Sequence, residues 1–442
     1  MRQLAAMFCL ILFALPARAE VDVKEVTSPG GITAWLVEEH SLPFTALELR
    51  FRGGTSLDPG GRRGAVYLMT GLLEEGAGDM DARAFARALE AAGASIGFDS
   101  GDDMVSISTR FLSENRNDAM ALLRTALHEP RFDEAAIDRV RAQVLSGLAS
   151  ERKDPNAIAG RTFAELTFDG HPYGSNRKGT AESVRALTRD DMIAAHGAVF
   201  ARDRLYVGAV GDIDAQELGE LLDDLLGDLP EQGARLPPPA EVAGDGGTVV
   251  VDYDTPQSVA VFGQEGLERD DPDFYAAYVL NQILGGGSFE SRLMQELRVK
   301  RGLTYGVYTY LAPKDLAALY MGGVASANDR IAEAVEMIRQ EWADMAENGV
   351  SETELARAKT YLTGAYPLRF DGNGQIARIL VGMQMDDLPI DYIATRNDRI
   401  NAVTLDEANR VARELLRPGQ LRFVVVGQPE GLDEAPRVGM PE

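Results

Sequence analysis

At 442 residues the chain is too long for one ordinary domain and long enough to bury sizeable cores, so two or three domains are expected. Its 69 acidic against 44 basic residues, a formal charge of −25, oppose binding to nucleic acid or to an anionic membrane surface. A single cysteine, Cys9, excludes an intrachain disulfide framework and a multi-thiolate metal site.

From the N-terminus, residues 1–19 read as a secretory signal. Arg2 gives the positive start, Leu4 to Leu15 an apolar run, and Ala17-Arg18-Ala19 a small-x-small cleavage pattern. The run falls short of the ~20 residues a membrane span needs, so no membrane insertion is expected. Cys9 lies inside this segment, and Ala6-Met7-Phe8 before it do not form a lipoprotein box. Cleavage near Ala19 leaves a mature chain without cysteine, and a more acidic one, since Arg2 and Arg18 are lost with no acid. The expectation is a periplasmic or secreted protein.

Thr45 to Arg52 and Met104 to Phe111 read as strands, and Ala82 to Ala92, Glu114 to His128 and Glu134 to Arg152 as helices. In the last of these, Ile137, Val140, Val144 and Leu148 fall on one helical face. Thr188, followed by Asp190 and Asp191, caps a helix that leads into the apolar LYVGAVG of 205–211. The pattern returns at Thr404, Asp406 and Glu407, leading into LRFVVVG at 421–427. The offset between them is about half the chain, which indicates two copies of one domain. Pro- and Gly-rich residues 227–247 separate the copies. The expected fold is α+β: two homologous domains, each a mainly antiparallel β-sheet covered by α-helices. They span 20–228 and 248–442, with a linker over 229–247.

The most specific motif is LGGGSFESRLMQELRVKRGLTYGVY, which starts at Leu284 and sets Arg298 seven residues before Tyr305. Phe289 to Arg298 reads as a helix, Gly302 suits the position after its end, and Thr304 onward reads as a strand. A guanidinium offers several donors to peptide carbonyls, and a phenol can donate to a developing oxyanion. The Gly285-Gly286-Gly287 run lacks the Gly-Lys-Ser/Thr of a phosphate loop.

This motif resembles the C-terminal-domain signature of the pitrilysin/insulinase (inverzincin) zinc peptidases, and the resemblance covers nearly all of the chain after residue 19. Members carry zinc on an H-x-x-E-H helix in the N-terminal half, and this sequence has no H-x-x-E-H. Matching the family's glycine to Gly64 in GGTSLDPGGRRGAVYLMTGLLEEG puts Tyr67, Thr70 and Gly71 at the His, Glu and His positions. Aligning on Asp154-Pro155 puts Ser146 and Gly147 where an E-E pair carries the third ligand. None of these side chains supplies an imidazole or carboxylate to a metal.

The four histidines, His40, His128, His171 and His196, are scattered, and His128-Glu129 is followed by Phe132 where a second His would stand. They read as surface or packing residues, and no metal or other cofactor is expected in this chain.

By resemblance the protein is the non-catalytic subunit of an exported heterodimeric zinc peptidase, similar to the alpha-like subunit of the processing peptidase. Zinc would sit on a homologous partner subunit, and Arg298 and Tyr305 would reach its site. Gly285, Gly286 and Gly287 would form either a loop near the substrate or a simple turn between helices. Unfolded peptide would add as an extra strand to a sheet edge. The alternative is a non-enzymatic scaffold or peptide-binding protein of the same fold. An independent enzyme with another centre lacks support, given one Cys and no G-x-S-x-G.

Overall fold

A computed structural model describes residues 21–287 and 289–441; the expected signal segment, Cys9 included, lies outside the described residues. The first half runs β1 (Lys24–Thr27), β2 (Thr33–Glu38), β3 (Phe44–Arg52) and α1 (Ala65–Leu72). A two-strand turn, β4 (Gly76–Ala77) and β5 (Met80–Asp81), leads to α2 (Ala82–Ala91), β6 (Ser95–Ser100) and β7 (Met104–Leu112). Helices α3 (Arg116–His128), α4 (Glu134–Glu151), α5 (Pro155–Thr167), α6 (Ala181–Ala186) and α7 (Arg189–Val199) follow. The half closes with β8 (Leu205–Gly211) and α8 (Ala215–Leu226).

The second half repeats the plan. It begins with β9 (Gly247–Asp252), β10 (Gln257–Glu265), α9 (Phe274–Leu284), β11 (Thr304–Lys314) and β12 (Ala317–Ala327). Then come α10 (Ile331–Asn348), α11 (Glu352–Gly364), α12 (Asn373–Met385), α13 (Tyr392–Ala402), α14 (Leu405–Leu415) and β13 (Arg422–Gly427). Thr188 and Thr404 cap α7 and α14 through reciprocal capping boxes with Asp191 and Glu407.

The sheets are ordered β1-β2-β8-β3-β7-β6 and β11-β12-β10-β13-β9. Read from the same end, β2-β8-β3-β7-β6 and β9-β13-β10-β12-β11 are one order. All pairings are antiparallel except β2 with β8 and β9 with β13, so the α+β class with two mainly antiparallel sheets holds. The expected strands and helices form, with ends moved by a few residues at most. The expected helix from Glu114 instead opens with a 3-10 turn, Ser113–Asn115, before α3. The segment 229–246 is tied down rather than free: Ala234 donates to Ala198 O, Ala240 to Leu316 O and Ala243 to Thr167 O.

The central strands of each sheet are buried on both faces, and there the second face is covered from the other half. Ala34, Leu36, Leu47 and Leu49 face the first half's own helices, whereas Trp35, Ala46 and Val210 pack against Ala377, Leu380 and Met383 of α12. Reciprocally, Ile158, Ala159 and Phe163 of α5 lie on Val259, Val424 and Val426 of the second sheet. Such doubly covered strands read as unbroken apolar runs, which is what VVV at 249–251 and 424–426 are. Gly263 accommodates this approach, since a Cβ there would stand 3.0 Å from the Phe163 ring.

A polar cluster joins the halves at the β11–β12 turn. Lys314 Nζ lies 2.6 Å from Asp102 and 3.9 Å from the Tyr173 ring centre, and Arg52 Nε lies 3.1 Å from Asp315. The Tyr173 hydroxyl donates to Asp103 and accepts from Leu316 N–H. Burial pushes Asp315 up to about 6; Arg52 opposes this, while Asp103, Asp386 and Asp387 add to it. An unfolded aspartate titrates near 4, so the folded chain holds an extra proton between about pH 4 and 6. Stability therefore falls as the pH rises through that window. Asp315→Asn is expected to flatten that part of the melting-temperature profile. It should also gain about 1 kcal/mol at pH 7, allowing for solvent screening. A variant that keeps the wild-type slope between pH 4 and 6 would show that Asp315 does not hold that proton.

Candidate functional site

The helix carrying Arg298 is held from beneath. Arg292 binds Glu354 at 2.7 Å, Asp344 at 3.2 Å and the Gly349 carbonyl at 2.9 Å, and Leu293 and Leu297 are fully buried. Met294–Lys300 is wound as a π-helix, a form that adds a residue to the turn and often accompanies functional sites. The expected Phe289–Arg298 helix is therefore corrected: its helical backbone starts at Arg292, and Phe289 sits in the preceding turn. There the Phe289 carbonyl accepts from the Gln295 amide at 2.6 Å instead of joining the helical ladder.

Gly302, at φ +61°, ends the helix with its N–H on Arg298 O, and Leu303 N–H reaches back to Leu297 O at 2.7 Å. The chain turns directly into β11, where an irregularity between Thr304 and Val307 swings Tyr305 outward.

Arg298 and Tyr305 are thereby brought together. Arg298 Nη1 donates to the Tyr305 carbonyl at 2.7 Å, and its guanidinium lies 4.6 Å from the Phe289 ring centre. Tyr305 is 85 % exposed, and its hydroxyl makes no hydrogen bond among the described residues. Phe289, Tyr308 and Tyr310 extend the exposed aromatic surface, the last two stacked at 6.2 Å. Gly323 on β12 makes room for Tyr308, whose hydroxyl would lie 2.8 Å from an added Cβ. Sequence reading passed over these three aromatics. For the two tyrosines the signal was the alternation in VYTY at 307–310, where Val307 and Thr309 are buried and the tyrosines are not.

The three glycines of 285–287 have backbone reasons. Gly285 lies against the β11 edge: Thr309 N–H donates to its carbonyl at 2.8 Å, and a Cβ would come within 2.6 Å of Thr309 Oγ1. At Gly286 a Cβ would strike Gln282, and Gly287 adopts φ +81°. Gly285→Ala is expected to break the edge bond and cost about 1–3 kcal/mol. An unshifted urea midpoint would show that the edge tolerates the methyl group.

Tyr67, Thr70 and Gly71 lie on α1, and Ser146 and Gly147 on α4. Thr70 turns inward, its hydroxyl donating to Val66 O at 2.8 Å. Gly71 allows α1 to approach α4, since a Cβ would stand 3.2 Å from Val140 Cγ1; Gly147 faces open space. A protein cation occupies this neighbourhood: Lys178 Nζ lies 5.6 Å from the Tyr67 ring centre and pairs with Glu151.

Among the described residues no group of three or more His, Cys, Asp or Glu could hold a metal ion. His128, His171 and His196 bond to the carbonyls of Leu225, Pro238 and Leu127, and His40 to Asp212. No hydrogen bond or ion pair among the described residues links Arg298 or Tyr305 to Tyr67, Thr70, Gly71 or Gly147. No helix among them is long and apolar enough to cross a membrane.

A model of the Peptidase M16 inactive domain matches residues 186–362. The chain is 28% identical to a Helicobacter pylori protein named non-peptidase homolog YmxG, over 88% of this chain and 90% of that one. It is 26% identical to an uncharacterized zinc protease of Streptomyces coelicolor, over 89% and 87%. Among solved structures, a peptidase M16 inactive domain from Pseudomonas fluorescens superposes with a TM-score of 0.86 at 27% identity, covering 95% of this chain and all of the other. A Helicobacter pylori protease superposes with a TM-score of 0.82 at 16% identity over 92% and 99%, a likeness of fold.

Proposed function

For a chain that carries a peptidase M16 inactive domain and is a non-peptidase homologue of the pitrilysin/insulinase family, we propose the role of exported, peptide-binding, non-catalytic subunit. Its partner is a homologous zinc-bearing peptidase subunit. Arg298 and Tyr305 complete that partner's active site, and an extended peptide adds as a strand to a sheet edge.

One observation carries this reading: Tyr305 is held out into solvent beside a guanidinium whose own position is fixed. A tyrosine kept only for packing buries its ring. Here the backbone irregularity, the π-helical turn and the Phe289 contact all serve to aim the pair outward. The exposed aromatic surface around it suits a partner or peptide. On the other half β6 is an outermost strand, and it lies against α1, the helix bearing the altered zinc positions.

Zinc is then the partner's, where it would polarise a peptide carbonyl and activate water. This chain's Arg298 would hold peptide carbonyls, and its Tyr305 would donate to the oxyanion.

The test is reconstitution with a zinc-motif homologue from the same cell envelope, followed by a peptide-cleavage assay. Cleavage that needs this chain supports the reading. Cleavage by the homologue alone at the same rate would sink it and favour a scaffold or peptide-binding role.

A further inference from the structure

The two sheets end at equivalent edges that are stopped in different ways. One row of paired residues runs Phe98, Ile107, Leu49, Val207 across β6, β7, β3 and β8. The matching row runs Thr309, Gly322, Phe262, Phe423 across β11, β12, β10 and β13. Val207 and Phe423 hold the same place in LYVGAVG and LRFVVVG, so Phe98 and Thr309 are counterparts.

Each donates its outward amide to a residue just beyond the helix that follows β3 or its counterpart β10, α1 in the first half and α9 in the second. Thr309 donates to the Gly285 carbonyl at 2.8 Å, directly after α9. Phe98 donates to the Glu74 carboxylate at 3.3 Å, two residues after the end of α1.

The stops differ in what it takes to remove them. Gly285 uses its main chain, so its carbonyl leaves only if the helix end moves. Pro313, further along the same strand, has no N–H to offer. Glu74 uses the tip of an exposed, flexible side chain, which can rotate away without moving backbone. Alternation places the amides of Ile96 and Ser100 on the same side of β6 as that of Phe98.

We propose that Glu74 is a displaceable plug on the β6 edge. An incoming extended peptide replaces the carboxylate with a main-chain carbonyl at Phe98 N–H, and pairing then spreads to Ile96 and Ser100, while β11 stays shut. This rests on the peptide-binding reading above and specifies what the peptide must displace.

The experiment uses the full chain, Glu74→Ala and Glu74→Gln, with hydrogen exchange of segments 95–100 and 304–314 read by mass spectrometry. The probe is a ten-residue extended peptide, with a second version N-methylated at alternate residues. Glu74→Ala, which removes the acceptor, is expected to speed exchange of 95–100 and to tighten peptide affinity by about 3- to 10-fold, the scale of one hydrogen bond.

Glu74→Gln keeps an amide oxygen for Phe98 and should stay near wild type in both readouts. Bound peptide should protect 95–100 and leave 304–314 unchanged, and the N-methylated peptide should not bind. Unchanged exchange in Glu74→Ala overturns the plug, as does faster exchange with unchanged or weaker peptide affinity. Faster exchange with no peptide bound by any variant leaves the edge bond standing and overturns the peptide reading instead.

Discussion

Phe163→Ala is expected to cost about 3–5 kcal/mol and to weaken both halves together, although the residue belongs to only one of them. The ring is 2 % exposed and lies on the second sheet beside Ile158, Val259, Val424 and Val426. Truncation leaves a cavity between α5 and β10, where Gly263 has no side chain to fill it. Since α12 covers the first sheet in exchange, loosening α5 exposes apolar strand faces on both sides of the exchange.

The two tryptophans report this separately. Trp35 sits under α12 on the first sheet, and Trp342 is buried in the second half with its indole N–H on Gln264 at 2.8 Å. Urea unfolding of Trp35→Phe and Trp342→Phe backgrounds should give coincident midpoints, both lowered by Phe163→Ala. A shift in one midpoint alone would mean that the halves fold independently.

In the reconstituted pair, Tyr305→Phe should lower kcat by about 10²- to 10³-fold with little change in KM, the signature of a lost oxyanion donor. The substitution removes one exposed hydroxyl, so folding and partner binding should be unaffected. Arg298→Ala should act mainly on KM, by about 10-fold or more, because its charged donors would hold carbonyls already present in the bound peptide. It also strips the Tyr305 carbonyl of its donor and Phe289 of its cation, so some loss of kcat should accompany it. Co-purification with the zinc subunit separates these effects from failure to assemble. Full activity of the double variant would remove the pair from the mechanism.

Both predictions depend on features that differ in how openly the sequence displays them. Strands such as Phe44–Arg52 and helices such as Glu134–Glu151 follow from local periodicity, which needs no knowledge of neighbours. The capping boxes at Thr188 and Thr404 and the duplication they mark are equally local. Gly302 after the Arg298 helix is legible for the same reason, since a chain reversal there requires positive φ.

Residue identity and short-range spacing therefore determined the fold class, the repeat and the closeness of Arg298 to Tyr305. Only the tertiary structure decided that α5 and α12 change places, because VVV runs announce two buried faces without saying whose helix covers the second. It alone placed Phe289 under the guanidinium and Glu74 on the Phe98 amide, contacts between residues whose meeting is set by how helix and strand pack. It also turned the helix at Arg298 into a π-helix, where backbone hydrogen bonds yield to the demands of buried Leu293 and Leu297 and the Arg292 ion pairs.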